Sequence, residues 1–198
     1  QRRRVGERLE LSRVRLLPKR IENLLLAAIG VYLFGVVVSV VQIGLGIRLL
    51  SIGLVLMAFW LLRYDIARLT IKRDGLPRYI AACLLSGYIW LIVGGIIGIW
   101  YGAMYGGPIY AAFLHAILLG FVFSMIFGHA PIILPAVTGL RVQYHARLYA
   151  PLAILHIALL LRLAGGLAEI DVLRIWSGPL TIVALLAFLG SVVSGTKF

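Results

Sequence analysis

The 198-residue chain contains little acidic charge and almost no cysteine. Cys83 is the only cysteine, which excludes an internal disulfide, a C-x-x-C-H haem attachment and a cysteine zinc site. Charged residues make up 13% of the chain, whereas soluble domains carry about 25%. Because 62% of the residues are hydrophobic, a chain of this size has too little interior to hide them from water. The composition therefore excludes a soluble domain, a disordered chain and a free nucleic-acid-binding module.

The sequence contains long apolar stretches. Six of them approach the roughly 20 residues that a helix needs to cross a bilayer. They predict an all-α membrane protein, a six-transmembrane-helix bundle at 21–198, after a basic cytoplasmic or interfacial segment at 1–20. The predicted spans are 24–43, 46–62, 79–100, 108–129, 148–163 and 176–193. We expect the fourth to stop after His129, because Pro131 and Pro135 follow. The lipid bilayer is the first predicted partner.

The net charge of +12 is unevenly distributed along this predicted topology. Sixteen of the nineteen Lys and Arg residues fall on one side of the six spans, counting both termini. Since basic residues mark the cytoplasmic side, we expect both termini in the cytoplasm of a prokaryotic inner membrane. The charge thus indicates topology, and no nucleic-acid partner is expected. The basic N-terminal segment either lies on anionic lipid or docks on a partner subunit.

Tryptophan follows the pattern expected of interfacial belts, in which aromatic rings sit near the ends of membrane spans. Trp60, Trp90, Trp100 and Trp176 are all assigned to such positions.

Histidine is confined to the fourth and fifth predicted spans and their connecting loop, at His115, His129, His145 and His156. Ionisable groups at membrane depth are costly and usually functional. On a regular α-helix, His115 and His129 would lie within about 40° of one face and about 21 Å apart. In antiparallel neighbours, His115 and His156 would each lie about seven residues from the outer end, at matching depth.

Facing histidines at one depth are the arrangement that a b-type haem requires, since its iron takes two axial imidazoles. His115 and His156 are therefore the predicted axial ligands, with His129 and His145 as a second haem site. Because imidazole also binds copper, His129 and His145 form a copper site in an alternative hypothesis. The remaining alternative for each histidine is a role in a proton relay or in a structural hydrogen bond between helices.

Other residues nearby suit a haem in the same hypothesis. Arg141, Arg147 and Arg162 are the predicted partners of the haem propionates, and Gly120 and Gly128 are small enough to leave room for the ring.

The segment HAILLGFVFSMIFGHAPIILP, from His115 to Pro135, together with 149–162, resembles the histidine-bearing helices of known haem membrane proteins. It is similar to the NnrS family and to subunit I of haem-copper oxidases, which place a His, then Gly-Phe, then an apolar run ending near Gly and Pro. The 14-residue spacing also resembles cytochrome b of quinol-oxidising complexes. The resemblance covers only 115–162 and implies haem binding.

The chain departs from each of these families. It has six spans rather than about twelve, it lacks the clustered histidines of an oxidase binuclear centre, and it lacks a second helix carrying histidines 14 apart. We therefore expect no catalytic residues. The function predicted is a haem b electron-transfer protein, with quinone and other respiratory or redox subunits as partners. Two alternatives are a haem- or copper-binding gas or stress-response protein and a non-haem structural subunit of a larger complex.

Overall fold

The computed structural model describes residues 18–139, 141–142 and 144–197. Within them lie six helical segments long and apolar enough to cross a membrane, so the predicted all-α, six-span architecture is confirmed. The prediction for segment 1–20 falls outside the described residues, except for 18–20. The helices are α1 (Lys19–Val41), α2 (Ile43–Tyr64), α3 (Ala67–Thr70), α4 (Leu76–Tyr101), α5 (Gly107–His115), α6 (Phe123–Thr138), α7 (Tyr149–Leu167) and α8 (Asp171–Ser194).

Shorter elements complete the chain. A π-helical segment, Ala116–Val122, joins α5 to α6 and makes them one continuous span. A 3₁₀ turn, Ala146–Leu148, leads into α7. The two-residue strands β1 (Arg141–Val142) and β2 (Thr196–Lys197) pair antiparallel. This pairing brings the loop after α6 and the C-terminal strand to the same end of the bundle.

The fourth span is longer than the sequence predicted. It does not stop after His129 but continues through Pro131 and Pro135 to Thr138. Each proline removes one backbone hydrogen bond, yet spanning helices tolerate this when neighbouring groups compensate for the loss. The helix ends instead at Gly139, whose φ of 73° is left-handed and whose N–H donates to the Pro135 carbonyl at 3.0 Å. A glycine in this conformation is a common helix stop.

The α4 helix lies at the centre of the bundle, and 56% of its apolar window is buried, against 11% for α1. Its glycines face two neighbours: a Cβ on Gly95 or Gly98 would meet Ser51 of α2, and one on Gly94 would meet Ile117 of the π segment. Small residues allow helix backbones to approach closely in a membrane. The glycines of α4 therefore let it pack between α2 and the fourth span.

Two peripheral pairs flank this centre. On one side, α1 packs along α2, and Trp60 Nε1 donates to the Ile21 carbonyl at 2.8 Å. On the other side, α8 packs along α7, and Phe188 of α8 stacks on Phe127 of α6 with ring centroids 3.9 Å apart. The histidine-bearing spans thus lie between α4 and α8.

Candidate functional site

His156 on α7 pairs with a tryptophan on α4. Trp90 Nε1 donates to His156 Nδ1 at 2.9 Å, and the two rings are stacked at 24° with centroids 6.3 Å apart. The indole N–H can only donate, so Nδ1 must be the acceptor, and the imidazole must be neutral with its proton on Nε2.

The proton on Nε2 has two consequences. His156 Nε2 is buried and has no hydrogen-bond partner among the described residues, and such an unsatisfied donor costs about 1–3 kcal/mol. A nitrogen that carries a proton also has no lone pair for a metal. In this arrangement His156 therefore does not fit the predicted role of axial ligand through Nε2; it offers a buried hydrogen-bond donor instead.

His115, at the last position of α5, is in the opposite tautomer. Its Nδ1 lies 2.6 Å from the Ala111 carbonyl oxygen, which can only accept, so Nδ1 carries the proton and the Nε2 of the neutral ring keeps its lone pair. Metal-binding histidines almost always donate their other ring N–H in this way, which fixes the tautomer and the orientation of the ring. His115 therefore fits the role of an axial haem ligand.

Helix register shows how far apart His115 and His156 lie along the bundle. Gly166 of α7 packs against Pro108 of α5, since a Cβ on Gly166 would lie 3.3 Å from the Pro108 carbonyl oxygen. Counted from this contact, His115 lies about 10 Å into the span and His156 about 15 Å, at 1.5 Å per residue. By this count the two histidines differ in depth by about three residues, because α7 extends further than its predicted end at 163.

Arg162 of α7 is the predicted propionate partner that lies closest to His115. Counted from the same contact, it lies about 6 Å into the span, and it is near enough to His115 to interact with it electrostatically. Arg162 is half-buried, and it forms no ion pair within the described ranges. A cation in a spanning helix usually has a partner, so Arg162 is available to an anionic group of a ligand.

The other two predicted propionate partners lie at the opposite end of the span. Arg147 is exposed in the 3₁₀ turn before α7. Arg141 lies in β1, and its side chain is outside what the structure describes.

His129 repeats the arrangement of His115 on α6. Its Nδ1 lies 2.8 Å from the Met125 carbonyl oxygen, so in the neutral ring Nε2 again keeps its lone pair. The proposed companion, His145, is exposed in the loop before the 3₁₀ turn. Among the described residues, no group of three or more His, Cys, Asp or Glu side chains could hold a metal ion. The hydrogen bond to Met125 leaves Nε2 as the atom through which a neutral His129 could bind a metal.

The π segment directly after His115 changes the angle between His115 and His129 around the axis of the fourth span. Its wider turns interrupt the regular α-helix that the prediction of a shared face assumed. π-helical turns within α-helices occur frequently at functional sites.

Gly120 and Gly128 do not provide the space that the sequence assigned to a haem. A Cβ on Gly120 would lie 2.5 Å from Trp90 Cγ, and one on Gly128 would lie 3.1 Å from Cys83 Cβ. Both glycines receive side chains of α4, because that helix packs against the fourth span. They are helix-packing residues.

Trp90 is the residue that sequence reasoning misplaced. The tryptophan pattern predicts an interfacial-belt position for it, yet it lies mid-helix in α4 and is only 7% exposed. Its distance from either end of α4 could have indicated this, because belt tryptophans lie at the membrane surface. The predicted start of that span, at residue 79, already placed Trp90 near its centre.

Comparison with known proteins yields one family. The profile of the family described as "Domain of unknown function (DUF8744)" matches residues 4–196. No curated protein and no solved structure matches the chain.

Proposed function

We propose that this chain, which belongs to the DUF8744 family over residues 4–196, is an integral membrane haem protein in which His115 is the only protein ligand of the iron. The observation that supports this most directly is the hydrogen bond from His115 Nδ1–H to the Ala111 carbonyl. It leaves Nε2 with a free lone pair inside a spanning helix. A haem held by one histidine supplies an open coordination position for a small diatomic ligand.

The residues around His115 have distinct roles in this proposal. Ala111 orients the imidazole through its carbonyl, and Arg162 offers its half-buried guanidinium to a propionate. Trp90 holds His156 so that Nε2–H remains a buried donor. We propose that this donor would contact the small ligand, since such donors affect which small ligand binds. This favours the gas-binding alternative over an electron carrier with two histidine ligands.

Absorption spectroscopy tests the proposal. We expect the purified protein to contain haem b, and its reduced form to bind CO, because a haem held by His115 alone would keep one coordination position free. His115→Ala should lose the haem, and imidazole should restore it to His115→Gly. His145→Ala, an exposed histidine, is the matched control and should keep it.

The same measurement distinguishes the alternatives. If His115 and His156 were both ligands, reduced wild-type protein would not bind CO, whereas His156→Ala would. A protein without haem after expression with a haem precursor would contradict the proposal and favour a non-haem structural subunit.

A second candidate function is electron transfer across the membrane, and the hydrogen bond of His129 to the Met125 carbonyl favours it. His129 would hold a second haem, or copper, toward the other end of the fourth span. Quinone and redox subunits would then be the electron partners. We expect two haems per chain, or one haem and one copper, and the loss of one of them in His129→Ala.

We also propose that both termini face the cytoplasm of a prokaryotic inner membrane. The sixteen basic residues on that side of the predicted topology support this orientation, and the pairing of β1 with β2 is compatible with it, since it brings the loop after α6 and the C-terminal strand to one end.

A further inference from the structure

An open cavity of about 540 Å³ lies at the end of the bundle where α4 and α7 begin. One wall is the segment around Asp74 and Arg78, and the other carries Tyr144 and Tyr149. The cavity lies where α7 begins, whereas His115 lies about 10 Å from the opposite end of the bundle, counted from the contact of Gly166 with Pro108. It is at the end that carries the basic loops, where lipid headgroups would meet the protein.

Two opposite charges line this cavity and remain unpaired. Asp74 and Arg78 are both exposed, and neither forms an ion pair with another described residue. Arg78 is close enough to the Tyr149 hydroxyl to interact with it electrostatically. An acid and a base in one cavity, neither ion-paired within the part of the chain that the structure describes, match a ligand that carries both charges.

The start of α4 and a cluster of tyrosines form the rest of the cavity wall. The 26-residue helix α4 begins at Leu76 after Gly75 and has no side-chain cap. The N–H groups of Leu76 and Arg78 in its first turn are available to an anion, whereas Pro77 between them has none. The buried ring of Tyr79 contacts Tyr149 edge-on, with centroids 5.3 Å apart, and lies 6.5 Å from Tyr144. These ring contacts order the wall of the cavity that carries Tyr144 and Tyr149.

From this arrangement we infer that the cavity binds the headgroup of an amine-bearing zwitterionic phospholipid. The phosphate lies at Arg78, whose guanidinium can donate two parallel hydrogen bonds to it, and at the first turn of α4. The ammonium group lies at Asp74, the acidic residue of the cavity. The site is separate from the histidines and does not depend on haem binding.

Lipid binding to delipidated protein, measured by native mass spectrometry, tests this inference. The probes are phosphatidylethanolamine, phosphatidylglycerol, soluble phosphoethanolamine and inorganic phosphate. We expect the wild type to prefer phosphatidylethanolamine over phosphatidylglycerol. Arg78→Gln should weaken both lipids about tenfold, the loss expected when a charge-assisted hydrogen bond is removed. Asp74→Asn should abolish the preference, because it removes the partner of the ammonium group.

Exposed residues outside the cavity provide the controls: Arg73→Gln and Glu22→Gln should behave as wild type. A preference that survives Asp74→Asn, or phosphatidylethanolamine binding that survives Arg78→Gln, would overturn the inference. Soluble phosphoethanolamine binding more tightly than the lipid would make the ligand a free metabolite and overturn the lipid assignment. Inorganic phosphate competing as well as phosphoethanolamine would show a simple anion site and overturn it too.

Discussion

At the residue scale, one hydrogen bond decides which ring nitrogen of His156 carries the proton. The indole of Trp90 can only donate, so it forces the imidazole proton onto Nε2. The carbonyls of Ala111 and Met125 can only accept, so they force the opposite tautomer on His115 and His129. Three histidines in two neighbouring spans therefore differ chemically because of their partners, and two of the three can bind a metal through Nε2.

Replacing Trp90 tests this difference. We expect Trp90→Phe to free His156 Nδ1, so that the ring no longer holds its proton only on Nε2. The measurement is the ¹⁵N chemical shift of the two ring nitrogens in histidine-labelled protein. Loss of the hydrogen bond should also lower the free energy of unfolding by about 1 kcal/mol, in addition to any loss of packing. Trp176→Phe, which changes an exposed indole, is the control. Unchanged ¹⁵N shifts of His156 would refute the assigned tautomer.

At the scale of helices, close backbone contact joins α1 to α2. A Cβ on Gly46 would overlap the backbone of Ser39, and one on Gly53 would lie 2.6 Å from the Tyr32 backbone nitrogen. Lipid tails are as apolar as these helices, so tight packing rather than hydrophobicity must hold the pair together. Two residues without side chains permit that packing.

A single added methyl group should therefore disturb the α1–α2 pair. We expect Gly46→Ala to lower the free energy of unfolding by about 1–3 kcal/mol, because the two backbones must separate. Gly30→Ala is the matched control, since a Cβ there meets nothing within 4 Å. Thermal unfolding in one detergent compares the two variants. Equal melting temperatures would show that the pair is not held by this contact.

The fourth span illustrates how a membrane changes the effect of proline. In water, Pro131 and Pro135 would be expected to end the helix after His129. In the structure the helix passes both, and Pro131 is buried. Neighbouring helices can satisfy the freed carbonyl groups in a membrane. The extra residues lengthen the span to Thr138 and leave His129 within it rather than at its end.

At the scale of the whole molecule, the proposed orientation makes opposite loops accessible from opposite sides. Lys72 lies in the loop between α3 and α4, and Tyr105 lies between α4 and α5. In intact cells, a membrane-impermeant thiol reagent should label Tyr105→Cys but not Lys72→Cys. Permeabilisation should expose the second. The native Cys83 is buried and serves as the background. The reverse labelling pattern would place the termini outside.

Hydropathy was sufficient to predict the six-span architecture of the molecule. Each predicted span corresponds to a helix, because a spanning helix must be apolar over a fixed length whatever it packs against. The ends were less accurate: the sixth span begins at Asp171 rather than near Trp176. Polar residues such as Asp171 and Arg174 can extend a helix beyond the apolar core, and hydropathy does not detect them.

The sequence by itself determined that this is a six-span membrane protein and that its histidines belong to two neighbouring spans. Both follow from local composition, since the bilayer acts on each segment separately. Only the tertiary structure decided which ring nitrogen of each histidine is free, because that depends on groups brought close by folding. His156 meets Trp90, 66 residues away in the chain, and Gly120 is filled by the same indole. Contacts of this kind arise from packing between helices, and hydropathy and residue spacing do not encode it.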